Sequence, residues 1–248
     1  MSTFVLVHGA YHGAWCWYKL EAVLESRGHD VVTFDLPGHG VVTFDLPGHG
    51  VDTTPVGQIT FDDYVEAVCS AIDESDEPIV LVGHSMSGMV ITQAAERCPD
   101  RIETLVYLTA YPPADGESML DQRIEGSFIS QQFVAHEELG VGAIKPDALE
   151  ELFYADCSPT DVTLARSLVR AEPLDPLRTG IDITPERFGT VPRVYIRCEE
   201  DRAITAEQQR RMVDERGCDA ELTLESSHSP FLSMPTATAD ALETAAER

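Results

Sequence analysis

A serine set among small residues stands between an apolar run and an amphipathic segment, in Ile79-Val80-Leu81-Val82-Gly83-His84-Ser85-Met86-Ser87-Gly88-Met89. A buried strand, a tight turn and a helix would lift the Ser85 hydroxyl above the end of the strand in strained backbone, which tolerates only small neighbours. The usual spacing of such a turn is Gly-x-Ser-x-Gly; here Ser87 holds the final position and Gly88 comes one residue later. A hydroxyl at its ordinary pKa is a poor nucleophile, so Ser85 calls for a base within reach and an acid to orient that base.

Place along the chain narrows the base. His8, His12, His29, His39, His49 and His84 precede Ser85, and His136 falls in an irregular segment. His228, in Glu225-Ser226-Ser227-His228-Ser229-Pro230-Phe231, follows the last strand-like run, as the order nucleophile, acid, histidine requires. Asp201, in Cys198-Glu199-Glu200-Asp201-Arg202-Ala203-Ile204, is the favoured acid; Asp115 is an alternative, and Glu199 and Glu200 stand nearby. Such an acid holds the imidazole tautomer rather than taking the proton. Two backbone N–H groups must meet the developing oxyanion. Met86 supplies one, and the loop His8-Gly9-Ala10-Tyr11-His12-Gly13 supplies the other, at Ala10.

The elements that would position these groups alternate as strand and helix. Strand-like runs cover Phe4 to His8, Val31 to Phe34, Ile79 to Val82, Ile102 to Leu108, Arg193 to Arg197 and Glu221 to Leu224. Amphipathic helices lie between them, one from Ala14 to Arg27 ended by Gly28, one capped by Thr60 with Asp63, one capped by Thr205, one opened by Pro235. This pattern specifies a mostly parallel twisted sheet flanked by helices. Between 112 and 188 the alternation stops in a proline-punctuated, helix-rich stretch. The chain therefore reads as one domain over 1–248, with a core of 1–111 and 189–248 and a helical cap inserted after a central strand. Phe128, Phe133, Phe153 and Tyr154 are candidates to line a substrate pocket beneath that cap, or to form the cap's own core.

Forty-three acidic residues against seventeen basic ones give a net charge of −26. Such a surface repels nucleic acid and anionic membranes. Self-repulsion at low ionic strength fades as the Debye length shrinks to about 3 Å near 1 M salt. A salt-rich cytoplasm, as in halophilic archaea, is the expected setting, with an ordinary acidic bacterial protein as the alternative, to be decided by melting temperatures from low to molar KCl. Six scattered cysteines without a C-x-x-C pair suggest free thiols in a reducing cytosol, and Met1 to Val7 lacks the basic flank of a secretory signal. No metal is expected, and a homodimer is compatible with the sequence.

VVTFDLPGHG occurs twice without a change, at 31–40 and 41–50. Only one copy can occupy a given strand position. If the first is the strand, the extra ten residues emerge at its C-terminal end; if the second, at the opposite end; a hairpin of the two is a third arrangement.

VLVHGAYHGAWCW, the DLPGHG run, GHSMSG, YIRCEEDRAI and SSHSPFLSMP together resemble the methylesterase and hydroxynitrile-lyase family of α/β-hydrolases. The resemblance spans nearly the whole chain and is weakest between 112 and 188. It implies an α/β-hydrolase fold, no cofactor, a Ser85–Asp201–His228 triad, and a sheet-edge position for the strand carrying DLPGHG. The lyases carry a threonine where Gly9 stands and a lysine where Ser229 stands, so the resemblance favours hydrolysis of a small ester, of methyl or aromatic type. Carbon–carbon bond cleavage by the same triad, or a non-catalytic small-molecule binder, are the rival expectations.

Overall fold

In the computed structural model, residues 2–33, 46–49 and 54–248 are described. Their strands are β1 (Thr3–Val7), β2 (Asp30–Thr33), β3 (Ile79–His84), β4 (Ile102–Leu108), β5 (Phe133–His136), β6 (Val141–Ile144), β7 (Glu172–Pro173), β8 (Arg193–Cys198) and β9 (Ala220–Leu224). Six of them form one sheet in the order β2-β1-β3-β4-β8-β9, every neighbouring pair parallel. Phe4, Leu6, Val80, Val82 and Leu105 are wholly buried, as central strands covered on both faces must be. Among the described residues β2 is an edge strand, in agreement with the position expected for the repeat.

The helices are α1 (Tyr18–Ser26), α2 (Phe61–Asp73), α3 (Ser87–Arg97), α4 (Phe128–Gln132), α5 (Leu149–Phe153), α6 (Pro159–Leu168), α7 (Leu174–Arg178), α8 (Ala206–Arg216), α9 (Pro230–Ser233) and α10 (Pro235–Ala246). Local chemistry sets their ends. Thr60 and Asp63 close a reciprocal capping box on α2, and Thr205 accepts from Gln208 N–H at the start of α8. The segment expected as one helix from Ala14 begins instead with a 3-10 turn, Ala14–Trp17, before α1. Gly28 follows α1 with a φ of 85°.

Between β4 and β8 the chain carries α4 to α7 and, beside them, a three-stranded sheet in the order β5-β6-β7, with antiparallel pairing. Helices were expected there; this small sheet was not.

Register decides what meets at the sheet's C-terminal edge. Val7 pairs with Gly83, and His84 with Leu108, so three chains leave the sheet side by side at His8, Ser85 and Thr109. The repeat is divided between two places. Val31 to Thr33 of the first copy form β2, and Leu46 to His49 of the second lie against the loop after β1; the residues between, Phe34 and His39 included, are outside the described set.

Candidate active site

Ser85 occupies the turn between β3 and α3 with a φ of 55°, a left-handed conformation rarely held by a residue with a side chain. Its neighbours explain how the turn closes. A Cβ on Gly88 would lie 2.4 Å from the carbonyl oxygen of Tyr111, so glycine is required at 88. Ser87 fits where the common pattern has glycine, and its hydroxyl donates to the carbonyl of His8. Tyr111 N–H donates to the Ser85 carbonyl at 3.1 Å, fixing the turn from the far side.

The structure brings Ser85, His228 and Asp201 into one line. Ser85 Oγ is 3.1 Å from His228 Nε2, and His228 Nδ1 is 2.7 Å from Asp201 Oδ2. Asp201 is itself fully engaged. Its Oδ2 accepts the Thr109 hydroxyl at 2.5 Å, and its Oδ1 accepts Ala203 N–H at 2.7 Å and Ile204 N–H at 2.9 Å. A carboxylate held by this many donors cannot rotate away from the imidazole. The rival acids lie elsewhere: Asp115 is exposed and accepts from Ile183 N–H, Glu199 pairs with Arg197 and Arg210, and Glu200 is exposed.

The loop after β1 approaches Ser85 closely. A Cβ on Gly9 would stand 2.8 Å from Ser85 Cβ and 2.8 Å from His84 Nδ1, so any other residue would have to shift the turn at Ser85. Neither Ala10 N–H nor Met86 N–H finds an acceptor among the described residues. Two donors left unsatisfied next to a nucleophile are what an oxyanion site requires.

Histidines set aside by their place in the sequence prove central to the scaffold. His8, His12, His49 and His84 are all buried around this site. Burial drives His12 down to about 3, with Ala10's carbonyl opposing the shift, and holds His84 well below the ordinary imidazole value. Both rings are therefore neutral at physiological pH. His12 donates from Nδ1 to the Ala10 carbonyl at 2.8 Å and accepts the Tyr154 hydroxyl at Nε2, also at 2.8 Å. Glu172 of β7, completely buried, accepts Tyr11 N–H at 3.0 Å. No pattern in the sequence marked Glu172 or Thr109.

The four aromatic candidates separate. The Phe153 ring lies 5.3 Å from that of His228 and 6.0 Å from that of Tyr11. Phe133 lines a mostly apolar cavity with Tyr11, Tyr111, Met119, Ile129 and Leu177, and Arg123, which also lines it, sets its guanidinium 5.1 Å over the Phe133 ring. Tyr154 is wholly buried, tied to His12. Phe128 packs against the core and does not line the cavity. A larger cleft, lined by Thr3, Asp30, Glu74, Asp100 and Glu103, opens at the other end of the sheet, away from Ser85. Among the described residues there is no His, Cys, Asp or Glu cluster able to hold a metal ion, and no helix long and apolar enough to cross a membrane.

Known proteins are similar to this chain in sequence and fold. The chain is 34% identical to salicylic acid-binding protein 2 of Nicotiana tabacum, over 94% of this chain and 92% of that protein. It is 32% identical to methyl jasmonate esterase 1 of Vitis vinifera, over 94% of this chain and 92% of that one. The crystal structure of polyneuridine aldehyde esterase superposes with a TM-score of 0.86 at 30% identity, covering 98% of each chain. Residues 4–241 match the alpha/beta hydrolase family, and the chain belongs to that family, in its methylesterase-like branch.

Proposed function

We propose that this chain hydrolyses small carboxylic esters through an acyl intermediate on Ser85. The observation that carries the reading is the continuous path from Ser85 Oγ through His228 to Asp201, at 3.1 Å and 2.7 Å. In this reading His228 Nε2 takes the hydroxyl proton as Ser85 Oγ attacks the ester carbonyl. Asp201 stabilises the imidazolium, and Ala10 and Met86 N–H bind the tetrahedral oxyanion. His228 then protonates the departing alcohol. Water, deprotonated by the same ring, releases the carboxylic acid and restores the serine.

The segment 112–188 serves in this reading as a cap over the site. The mostly apolar cavity beside Tyr11 and Tyr111, together with Phe153, suits a flat or aliphatic acyl group. The names of the relatives agree with a methyl ester as the substrate class. Gly9 and Ser229, which stand where the cyanohydrin-cleaving relatives were expected to differ, support the esterase reading over the lyase one.

The test is turnover of p-nitrophenyl acetate and a panel of aromatic methyl esters, with Ser85→Ala as control. Release of acid and alcohol by the wild type, with loss of at least about a thousandfold in Ser85→Ala, is expected. Turnover unaffected by the substitution would remove the reading.

A further inference from the structure

Two successive peptide units in the loop after β1 are held at almost every polar atom by buried side chains. The Gly9 carbonyl accepts His8 Nδ1–H at 2.9 Å and His12 N–H at 3.3 Å. The Ala10 carbonyl accepts His12 Nδ1–H at 2.8 Å, and Tyr11 N–H, on the same peptide unit, donates to Glu172 Oε2 at 3.0 Å. The one donor left over is Ala10 N–H. Tyr11 has a φ of 68°, so this geometry is not one the loop would keep unaided.

The groups that hold it come from distant parts of the chain. Glu172 belongs to β7, in the segment between β4 and β8, and is wholly buried. Its Oε2 also accepts His49 Nε2–H at 2.8 Å, and its Oε1 accepts the Tyr64 hydroxyl at 3.0 Å. His49 belongs to the second copy of the repeat, whose Leu46 N–H donates to His8 Nε2 at 2.9 Å. One carboxylate thus joins α2, the repeat, the inserted segment and the strained Tyr11 peptide.

We propose that Glu172 is a positioning residue for the oxyanion site: its carboxylate fixes the Ala10–Tyr11 peptide plane and so aims Ala10 N–H at the developing charge on the substrate. The proposal rests on the esterase reading above. A carboxylate suits this task because three donors converge on it and it offers only acceptors. A glutamine in its place offers Tyr11 N–H and His49 either a neutral amide oxygen, a weaker acceptor than a carboxylate, or an NH2 group that accepts nothing. The peptide plane is then free to tilt, and Ala10 N–H leaves its line. Glu172 touches no substrate atom in this account, so the cost falls on the transition state and not on ester binding.

The decisive experiment compares wild type, Ser85→Ala and Glu172→Gln with p-nitrophenyl acetate and with a trifluoromethyl ketone inhibitor, whose serine adduct carries an oxyanion. Expected for Glu172→Gln is a fall in kcat of about a hundredfold with KM within threefold, and a rise in inhibitor Ki of similar size to the fall in kcat/KM. An active wild type and an inactive Ser85→Ala, together with a folded Glu172→Gln whose kcat and Ki stay within threefold of wild type, overturn the proposal and leave the esterase reading standing. A Ser85→Ala variant as active as wild type overturns both. Should Glu172→Gln fail to fold, His49→Phe and Tyr64→Phe decide, since each removes a donor that fixes the carboxylate opposite Tyr11 N–H and so lets the carboxylate, and the peptide it holds, shift. A several-fold loss in kcat at constant KM in either supports the proposal, and unchanged kcat in both overturns it.

Discussion

His84 Nε2 donates to the main-chain carbonyl of His228 across 2.9 Å, so the residue before Ser85 holds the loop that carries His228. The rings of the two histidines lie 4.6 Å apart, and Phe231 packs at 4.9 Å on the same imidazole. His84 is neutral because burial disfavours its charged form, which leaves Nε2–H as a fixed donor. The elbow that the chain makes at Ser85 and the loop that carries His228 are in this way one mechanical unit.

Replacing His84 by phenylalanine keeps the ring volume but removes that donor. An unsatisfied buried carbonyl costs about 1–3 kcal/mol, and urea unfolding should show a loss of that order. The esterase kcat should fall by about tenfold, because His228 is no longer fixed relative to Ser85. Unchanged stability and kcat would show that the 2.9 Å contact carries no weight.

Acid should weaken the fold through His12. Its folded pKa lies near 3 against an ordinary 6.5, because burial disfavours the imidazolium. Below pH 6.5 the unfolded chain binds a proton that the folded chain refuses, so stability falls as pH drops from 6.5 towards 3. At 1.36 kcal/mol per pH unit, His12 alone removes about 2 kcal/mol by pH 5. His84 acts in the same direction. Urea melts at pH 7.5, 6 and 5 should follow this slope in the wild type and a shallower one in His12→Asn; equal slopes would contradict the assignment.

Gly9→Thr should not create a cyanohydrin-cleaving enzyme. A Cβ at 9 would meet Ser85 Cβ and His84 Nδ1 at 2.8 Å each, and the displaced atoms belong to the elbow itself. Overpacking of this kind costs about 1–3 kcal/mol. Ester turnover should drop by at least about a hundredfold, with no aldehyde released from mandelonitrile. Aldehyde release at a rate near that of ester turnover would be the contrary result.

Removing ten residues from the repeat gives the same sequence whichever copy is deleted. Twelve residues separate Thr33 of β2 from Leu46, and the deletion leaves two. The described parts of both copies keep their counterparts in the shorter chain. Loop-closure entropy then favours the deletion by about 1–2 kcal/mol, and ester turnover should be retained. A lower melting temperature or lost activity would mean that the added residues contribute contacts of their own.

Much of this site was legible in the sequence, for identifiable reasons. Ser85 sits where an apolar run meets small residues and a helical period, and His228 and Asp201 follow later strands in the order that the chemistry imposes. Each is marked by its immediate neighbours. Glu172 is not, because its meaning lies in Tyr11, 161 residues away. Nor was β7, a strand of two residues that includes Pro173, since propensity is silent on so short a pairing. The early histidines were judged as bases, for which their place is wrong. As buried hydrogen-bonding rings His8, His12 and His84 hold the loop after β1, the turn at Ser85 and the loop of His228, and that role depends on burial, which a sequence does not display.

Three described non-glycine residues have positive φ, namely Tyr11, Ser85 and Thr109, each close after the C-terminal end of β1, β3 or β4. These strands are neighbours, so conformational strain is gathered along one rim of the sheet. A glycine at any of the three would relax the backbone, but at Tyr11 and Thr109 it would also empty a buried site. The same substitutions would loosen the loop beside Ala10, the nucleophile turn and the hydroxyl that steadies Asp201. In this molecule the backbone strain and the candidate catalytic geometry are carried by the same few residues, so neither can be relaxed without disturbing the other.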